Sequence, residues 1–300
     1  MSVITVYGAG MDDTVAVQAA VNAAKAGDTV LVPAGTTCRI NPIANATPFY
    51  SSRTGIALKS EITFQIDGTI QAIPNMADHY VILVAQNVDG LVITGKGKIV
   101  GDRSAGNPVV RGVAGQWGFG IGLGPAAKNV TINGGLTISQ CFGDGLTAIG
   151  ATGLVVDHVT FDSNYRQNAS LIDVNGVKIT NSTFSNAGQS NLDLEPAWAG
   201  QSILNVAVSN CDFVNCCTLF PLGSKKVHVG IGSSPGLGTF KGINVDSSNQ
   251  FDDKMQPIWV HDTAGTTGIP PWAAALNVVF YQGLKADWYR FWGYPTSWSD

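Results

Sequence analysis

Asp144, Arg166, Gln167, Asp193 and Glu195 are the candidates for chemistry in this chain. They fall in three short stretches, GDGL, NYRQNASL and NLDLEP, that align when the chain is set in register on itself. Paired carboxylates suit attack on a glycosidic bond, where one acid protonates the leaving oxygen and another carboxylate activates water or attacks the sugar. Asp193 and Glu195, two positions apart, would point the same way on a strand, about 6.5 to 7 Å apart. Crowding of like charges would then raise one pKa and divide the roles of acid and base. Arg166 lies between the acidic stretches and could hold a substrate carboxylate or keep both acids ionised. Asp144, inside Gly-Asp-Gly, reads equally as a turn residue.

The elements that must position these groups are repeats. Ile138, Phe161, Phe184 and Phe213 are spaced 23, 23 and 29 residues apart, a period expected when each unit stacks on the last. The units lack Leu-x-x-Leu-x-Leu and are rich in Val, Ile, Thr, Asn and Gly, which points to short strands joined by turns. With Gly120, Gly145, Asn168 and Asn191 in one register, Ile121, Leu146, Ala169 and Leu192 form the next column, and Leu123, Ala148, Leu171 and Leu194 lie two further on. These face inward. Gly122, Thr147, Ser170 and Asp193, then Gly124, Ile149, Ile172 and Glu195, should face outward by period-two alternation. Equivalent positions on successive coils lie about 4.8 Å apart, so Asp144 stands about 9 to 10 Å from the acidic pair before side chains lean. The extra length before Phe213 is an insertion, PAWAGQ, that brings Trp198 beside Glu195.

The 300 residues are 45% hydrophobic and only 13% charged, with 36 glycines and a net charge of −4. That composition fits one long solenoid with a substantial core and excludes a basic nucleic-acid surface. Five cysteines in unpaired spacing read as small buried hydrophobes. No HExxH, Gly-x-Ser-x-Gly, P-loop or dinucleotide fingerprint occurs, so protease, lipase, nucleotide and hydride chemistry drop out. The opening MSVITVYGAG lacks a signal-peptide pattern and no apolar run reaches eighteen residues, so neither Sec export nor membrane insertion is expected.

Asp12 and Asp13 precede Val17, Ala20, Val21 and Ala24 at helical spacing, which predicts one amphipathic helix covering the open end of the stack. The expected organisation is a cap helix and first strand over residues 1–30, a parallel β-helix over 31–248, and an aromatic-rich C-terminal cap or subunit contact over 249–300. A Gly-rich loop carrying Arg103, Arg111 and Trp117 interrupts the coils after Gly101.

The stretch DDTVAVQAAVNAAKAGDTVLVPAGT resembles the opening of right-handed parallel β-helix proteins of the pectate lyase and polygalacturonase superfamily, an opening shared by phage tailspikes. GTIQA and ITGKGKIVGD resemble the first coils of pectinase-type glycoside hydrolases. The resemblance implies an all-β, right-handed parallel β-helix with an N-terminal capping helix. It further implies a depolymerase of bacterial surface polysaccharide from a phage or prophage tail, acting on a virion or outside the cell, with a homotrimer expected.

GDG at 143–145 is similar to the Gly-Asp-Asp catalytic stretch of polygalacturonases, which makes Asp144 an acid or base by analogy. That family's Gly-His-Gly and Arg-Ile-Lys motifs are missing. Asp144, Asp193 and Glu195 are therefore the candidate catalytic groups. Arg166, Gln167, Tyr165, Trp117, Trp198 and His79 are the candidate substrate contacts, with His158 and His228 read as structural. No cofactor or metal ligand set is expected for a hydrolase. A lyase acting on a uronate would instead use calcium, with Asp193 and Glu195 as ligands and Arg166 as base, and a non-catalytic glycan-binding tail protein would use the same surface without cleavage.

Overall fold

The computed structural model describes residues 1–47, 49, 53–103, 117–219, 226–233 and 238–262. The strands stack as coils with three faces. The first face runs through His79–Ala85, Trp117–Leu123, the start of Leu146–Asp157, the start of Ala169–Thr180, Leu192–Leu194, Val227–Ser233 and Gln256–Asp262. Adjacent strands of this face pair in parallel. The second face continues the long strands after a bend, and the third is a separate eight-stranded sheet among the described residues.

The columns fall in the expected register. Ile138 pairs with Phe161, Phe161 with Phe184, and Phe184 with Phe213. Their rings stack inside the coil at centroid separations of 5.0 Å for both Phe184 contacts, and Phe251 extends the stack at 4.9 Å. Ile121, Leu146, Ala169 and Leu192 likewise align and are buried. A line of inner amides runs beside them: Asn164 donates to Asn168, Asn168 to Asn191, and Asn191 meets His228 Nδ1, each at 2.8 to 2.9 Å. Each amide supplies both a donor and an acceptor, so stacking identical residues satisfies buried groups coil after coil.

One expected column is broken. Ile149 pairs with Asp173 rather than Ile172, because the strands shift register between Ala148 and Ala151, where Gly150 takes a left-handed φ of 76° and the chain turns the corner between faces. The coils also run beyond the expected boundary at 248: Gln250–Phe251 pairs with the Asp212–Val214 strand, and Gln256–Asp262 pairs with Val227–Ser233. The 38-residue interval from Phe213 to Phe251 hides that repeat from a periodicity search.

The helix Thr14–Ala23, here α1, buries Val17, Ala20 and Val21 in the main core. Asp12 Oδ1 accepts hydrogen bonds from the Thr14 backbone and hydroxyl at its start, and Asp13 Oδ2 accepts from the Arg39 backbone N–H on the first coil. The helix thus closes the open end of the stack. All five cysteines are buried. No helix is long and apolar enough to cross a membrane among the described residues. Residues 263–300, with most of the expected C-terminal cap, lie outside the described residues, as does Arg111.

Candidate active site

Residue pairing places Gly122, Thr147, Ser170, Asp193 and Gly230 in one column on the outer side of the first face. Asp144 turns toward this column. Its Oδ2 accepts hydrogen bonds from the hydroxyls of Thr147 (3.1 Å) and Ser170 (2.8 Å), and its Oδ1 accepts from the Gln167 backbone N–H (3.3 Å) and lies 3.7 Å from Arg166 Nε. With both oxygens engaged and only 1% of the residue exposed, Asp144 holds Arg166 and Ser170 in place. Its turn and its carboxylate are both used.

Gln167 joins the coils from behind. Its amide nitrogen donates to Asp193 Oδ2 (3.0 Å) and to Gln189 Oε1 (2.7 Å). Expected to touch substrate, Gln167 is instead buried and committed to the acids. Asp193, also 1% exposed, keeps its second oxygen, Oδ1, buried and without a hydrogen-bond partner among the described residues. A buried orphan acceptor of this kind calls for an explanation.

Burial holds the Asp193 pKa well above the ordinary carboxylate value, and the neighbouring Glu195 charge adds to the effect. Glu195 follows directly at the strand end and is half-buried. Burial raises its pKa too, the Arg166 guanidinium opposes the rise, and the Asp144 charge reinforces it. Arg166 has 22% of its side chain exposed, so the arginine and Glu195 form the accessible edge of the cluster. Asp144, Arg166, Gln167, Asp193 and Glu195 therefore form one network drawn from three coils.

Of the aromatic candidates, Tyr165 adjoins Arg166 in the same turn. Tyr165 packs on the buried Phe142 (5.3 Å between centroids), and the Arg103 guanidinium lies over the Tyr165 ring, 5.8 Å from its centre. Arg103 also donates to the carbonyls of Ser163 and Asn164, so it secures the turn that presents Arg166. Trp117 meets His79 edge to face at 4.2 Å on adjacent strands N-terminal to the acids. Burial lowers the His79 pKa, and its Nδ1 has no hydrogen-bond partner among the described residues. Trp198 is 50% exposed in the insertion after Glu195, its backbone held by Gln201. His228 is fully buried between Asn191 and Asp252, whereas His158 is an exposed partner of Asp157.

Three partners of the acids and of Gln167 were not singled out as site residues from sequence. The Thr147 and Ser170 hydroxyls carry a signal, since Thr and Ser precede Asp193 in its column. Gln189 carries none, being one polar turn residue among many.

Calcium coordination of the lyase type needs several ionised oxygen ligands. Here an arginine guanidinium sits beside the carboxyls, and among the described residues no three His, Cys, Asp or Glu side chains are grouped to hold a metal.

No family model matches the sequence, and no curated protein does. Solved structures do match in shape. The endo-xylogalacturonan hydrolase of Aspergillus tubingensis superposes with a TM-score of 0.65 at 17% identity, over 86% of this chain and 76% of that one. The family 28 exopolygalacturonase of Yersinia enterocolitica gives 0.58 at 12% identity, over 87% and 64%. A tailspike protein of E. coli bacteriophage HK620 gives 0.53 at 13% identity, over 92% of this chain and 53% of the tailspike. With its stacked parallel coils and capping helix, the chain has a right-handed parallel β-helix fold, the fold in which it is similar to these hydrolases and the tailspike.

Proposed function

We propose that the protein is a polysaccharide depolymerase of the glycoside hydrolase type, acting on a bacterial surface polysaccharide and belonging to a phage or prophage tail. The carrying observation is the Asp193–Glu195 pair, two carboxyls on one strand end with raised pKa values, beside an arginine anchored by a third carboxylate. The hydrolase and tailspike likenesses in fold support the substrate class.

The roles follow from burial. Asp193, the deeper acid, is the proton donor to the glycosidic oxygen, with its Oδ2 held by the Gln167 amide. Glu195, at the accessible edge, is ionised and either takes a proton from the attacking water or attacks the anomeric carbon itself. The glycosidic C–O bond breaks, the proton goes to the leaving oxygen, and water ends as the new hydroxyl and the returned proton. Asp144 anchors Arg166, which tunes the pair. Trp117 and Trp198 offer exposed rings on which sugars can stack. The full assembly is proposed to be a homotrimer on the virion or outside the cell.

The test is incubation with purified bacterial capsule and exopolysaccharides, following reducing ends together with absorbance near 235 nm. Reducing ends alone establish hydrolysis. Both signals establish an eliminating lyase, and neither signal with retained glycan binding establishes a binding protein, so either result overturns the proposal.

A further inference from the structure

Arg39 stands exposed on the outer side of the third face, and its guanidinium makes no ion pair or hydrogen bond among the described residues. It lines an open cavity of about 340 Å³ together with Thr37, Gln71, Ala72, Ile73 and Pro74. The walls come from two coils, because Thr37–Ile40 pairs in parallel with Thr69–Ala72 and sets Arg39 beside Gln71. A third coil fixes them. The Gln71 amide nitrogen donates to the Gly101 carbonyl (3.1 Å), and Asp102 Oδ2 accepts from the Asn75 backbone N–H (3.1 Å) and side-chain amide (3.2 Å), which pins the turn after Pro74. The Ile73 backbone N–H donates to the Ile40 carbonyl (2.7 Å). A cavity held this way is formed before any ligand arrives, which lowers the cost of binding.

The charge around the cavity has one sign. The outer positions of the first three strands of this face are Thr37, Arg39, Thr69, Gln71, Lys98 and Val100; they include two cations and no acid, and Lys98 too is exposed. The carboxylates behind these strands are committed elsewhere. Asp13 accepts from the backbone N–H groups of Ala9, Gly10 and Arg39, and Asp102 from Asn75 and the Tyr80 hydroxyl. The planar fork of a guanidinium matches a carboxylate. The Thr37 hydroxyl and the Gln71 amide oxygen match sugar hydroxyls, and Ile73 and Pro74 offer apolar surface to the face of a sugar ring. The volume sits at the low end of small-molecule sites, about 300 to 1,000 Å³, and so fits a short saccharide. We propose that this cavity is a second carbohydrate site, separate from the acids, that takes a carboxylate-bearing sugar of an acidic polysaccharide with Arg39 as its anchor. Four strand steps of the third face separate the Gln71 strand from the coil that carries Asp193, about 19 Å at the strand spacing, so the cavity grips polymer away from the bond that is cut. The saccharide class rests on the proposed depolymerase reading; the preference for an anion rests on Arg39 alone.

Amide NMR of the isotope-labelled full chain, titrated with a disaccharide of glucuronic acid, provides the test. The expected result is a saturable shift of the Arg39, Gln71 and Ile73 amides, with the carboxyl-reduced disaccharide needing at least about tenfold more to reach the same shift. Arg39→Gln, a change on an exposed side chain, should abolish the shifts at Gln71 and Ile73. Wild-type spectra alone overturn the proposal if these amides do not move, or if the carboxyl-reduced sugar moves them equally well. Inorganic phosphate saturating the same amides at the same concentration would also overturn it, by showing a general anion site. Cleavage of a surface polysaccharide without these shifts removes the second site and leaves the depolymerase reading intact. The shifts without any cleavage uphold the second site and count against that reading.

Discussion

At the scale of residues, the chemistry turns on two acids whose pKa values burial raises. Because Asp193 and Glu195 have raised pKa values in the folded protein, they bind protons more tightly there than in the unfolded chain. Their contribution to stability is present below the unfolded carboxylate range, about pH 4, and is lost as pH rises through the folded values. Asp193→Asn keeps an acceptor for the Gln167 amide and removes the charge. It should therefore melt higher than wild type near pH 7 and 8, with the gain shrinking toward pH 4, as thermal unfolding across pH would show. The rate should follow a bell whose acidic limb lies above the ordinary glutamate value, since Glu195 must ionise and Asp193 must not, and the limbs belong to the coupled pair. A kcat profile with its acidic limb at or below that value would contradict the assignment. The acids themselves were legible in sequence because two-residue spacing on a strand fixes their common face. Asp144's full set of partners and the commitment of Gln167 were not, since turn residues have no periodicity to fix where they point.

At the scale of elements, the stacked columns carry the site. Phe184 lies between Phe161 and Phe213, its centroid 5.0 Å from each, and the same coils hold Arg166 and Asp193 on the opposite side. Phe184→Ala should lower unfolding free energy by about 3 to 5 kcal/mol, measured by urea denaturation, and blunt activity only as far as it loosens the coil. The columns were legible because Ile138, Phe161 and Phe184 keep a constant interval. Ile149 misled because one left-handed glycine shifts the register, and Phe251 escaped because the insertion before it lengthens its coil to 38 residues. The packing of Phe49 on Val81, Val84 and Phe119 was invisible because its partners come from strands beginning 30 and 68 residues away.

At the scale of the whole molecule, a solenoid must close its ends, and α1 does so by burying Val17 and Val21 in the main core. Val21→Asp would place an unpaired charge there; the expected outcome is aggregation or loss of the cooperative melt by light scattering and circular dichroism, while Val15→Asp on the exposed side of the same helix should change neither. The cap was legible from helical spacing after Asp12 and Asp13, and the fold class from the repeats. Turnover and stability measured in one variant decide whether the Asp193–Glu195 pair does the chemistry. Purified Asp193→Asn, assayed beside wild type for reducing ends on a cleaved surface polysaccharide, is predicted to lose at least about a hundredfold in kcat while melting at or above the wild-type temperature at pH 7. A variant that keeps wild-type turnover would contradict the proposed chemistry of the pair.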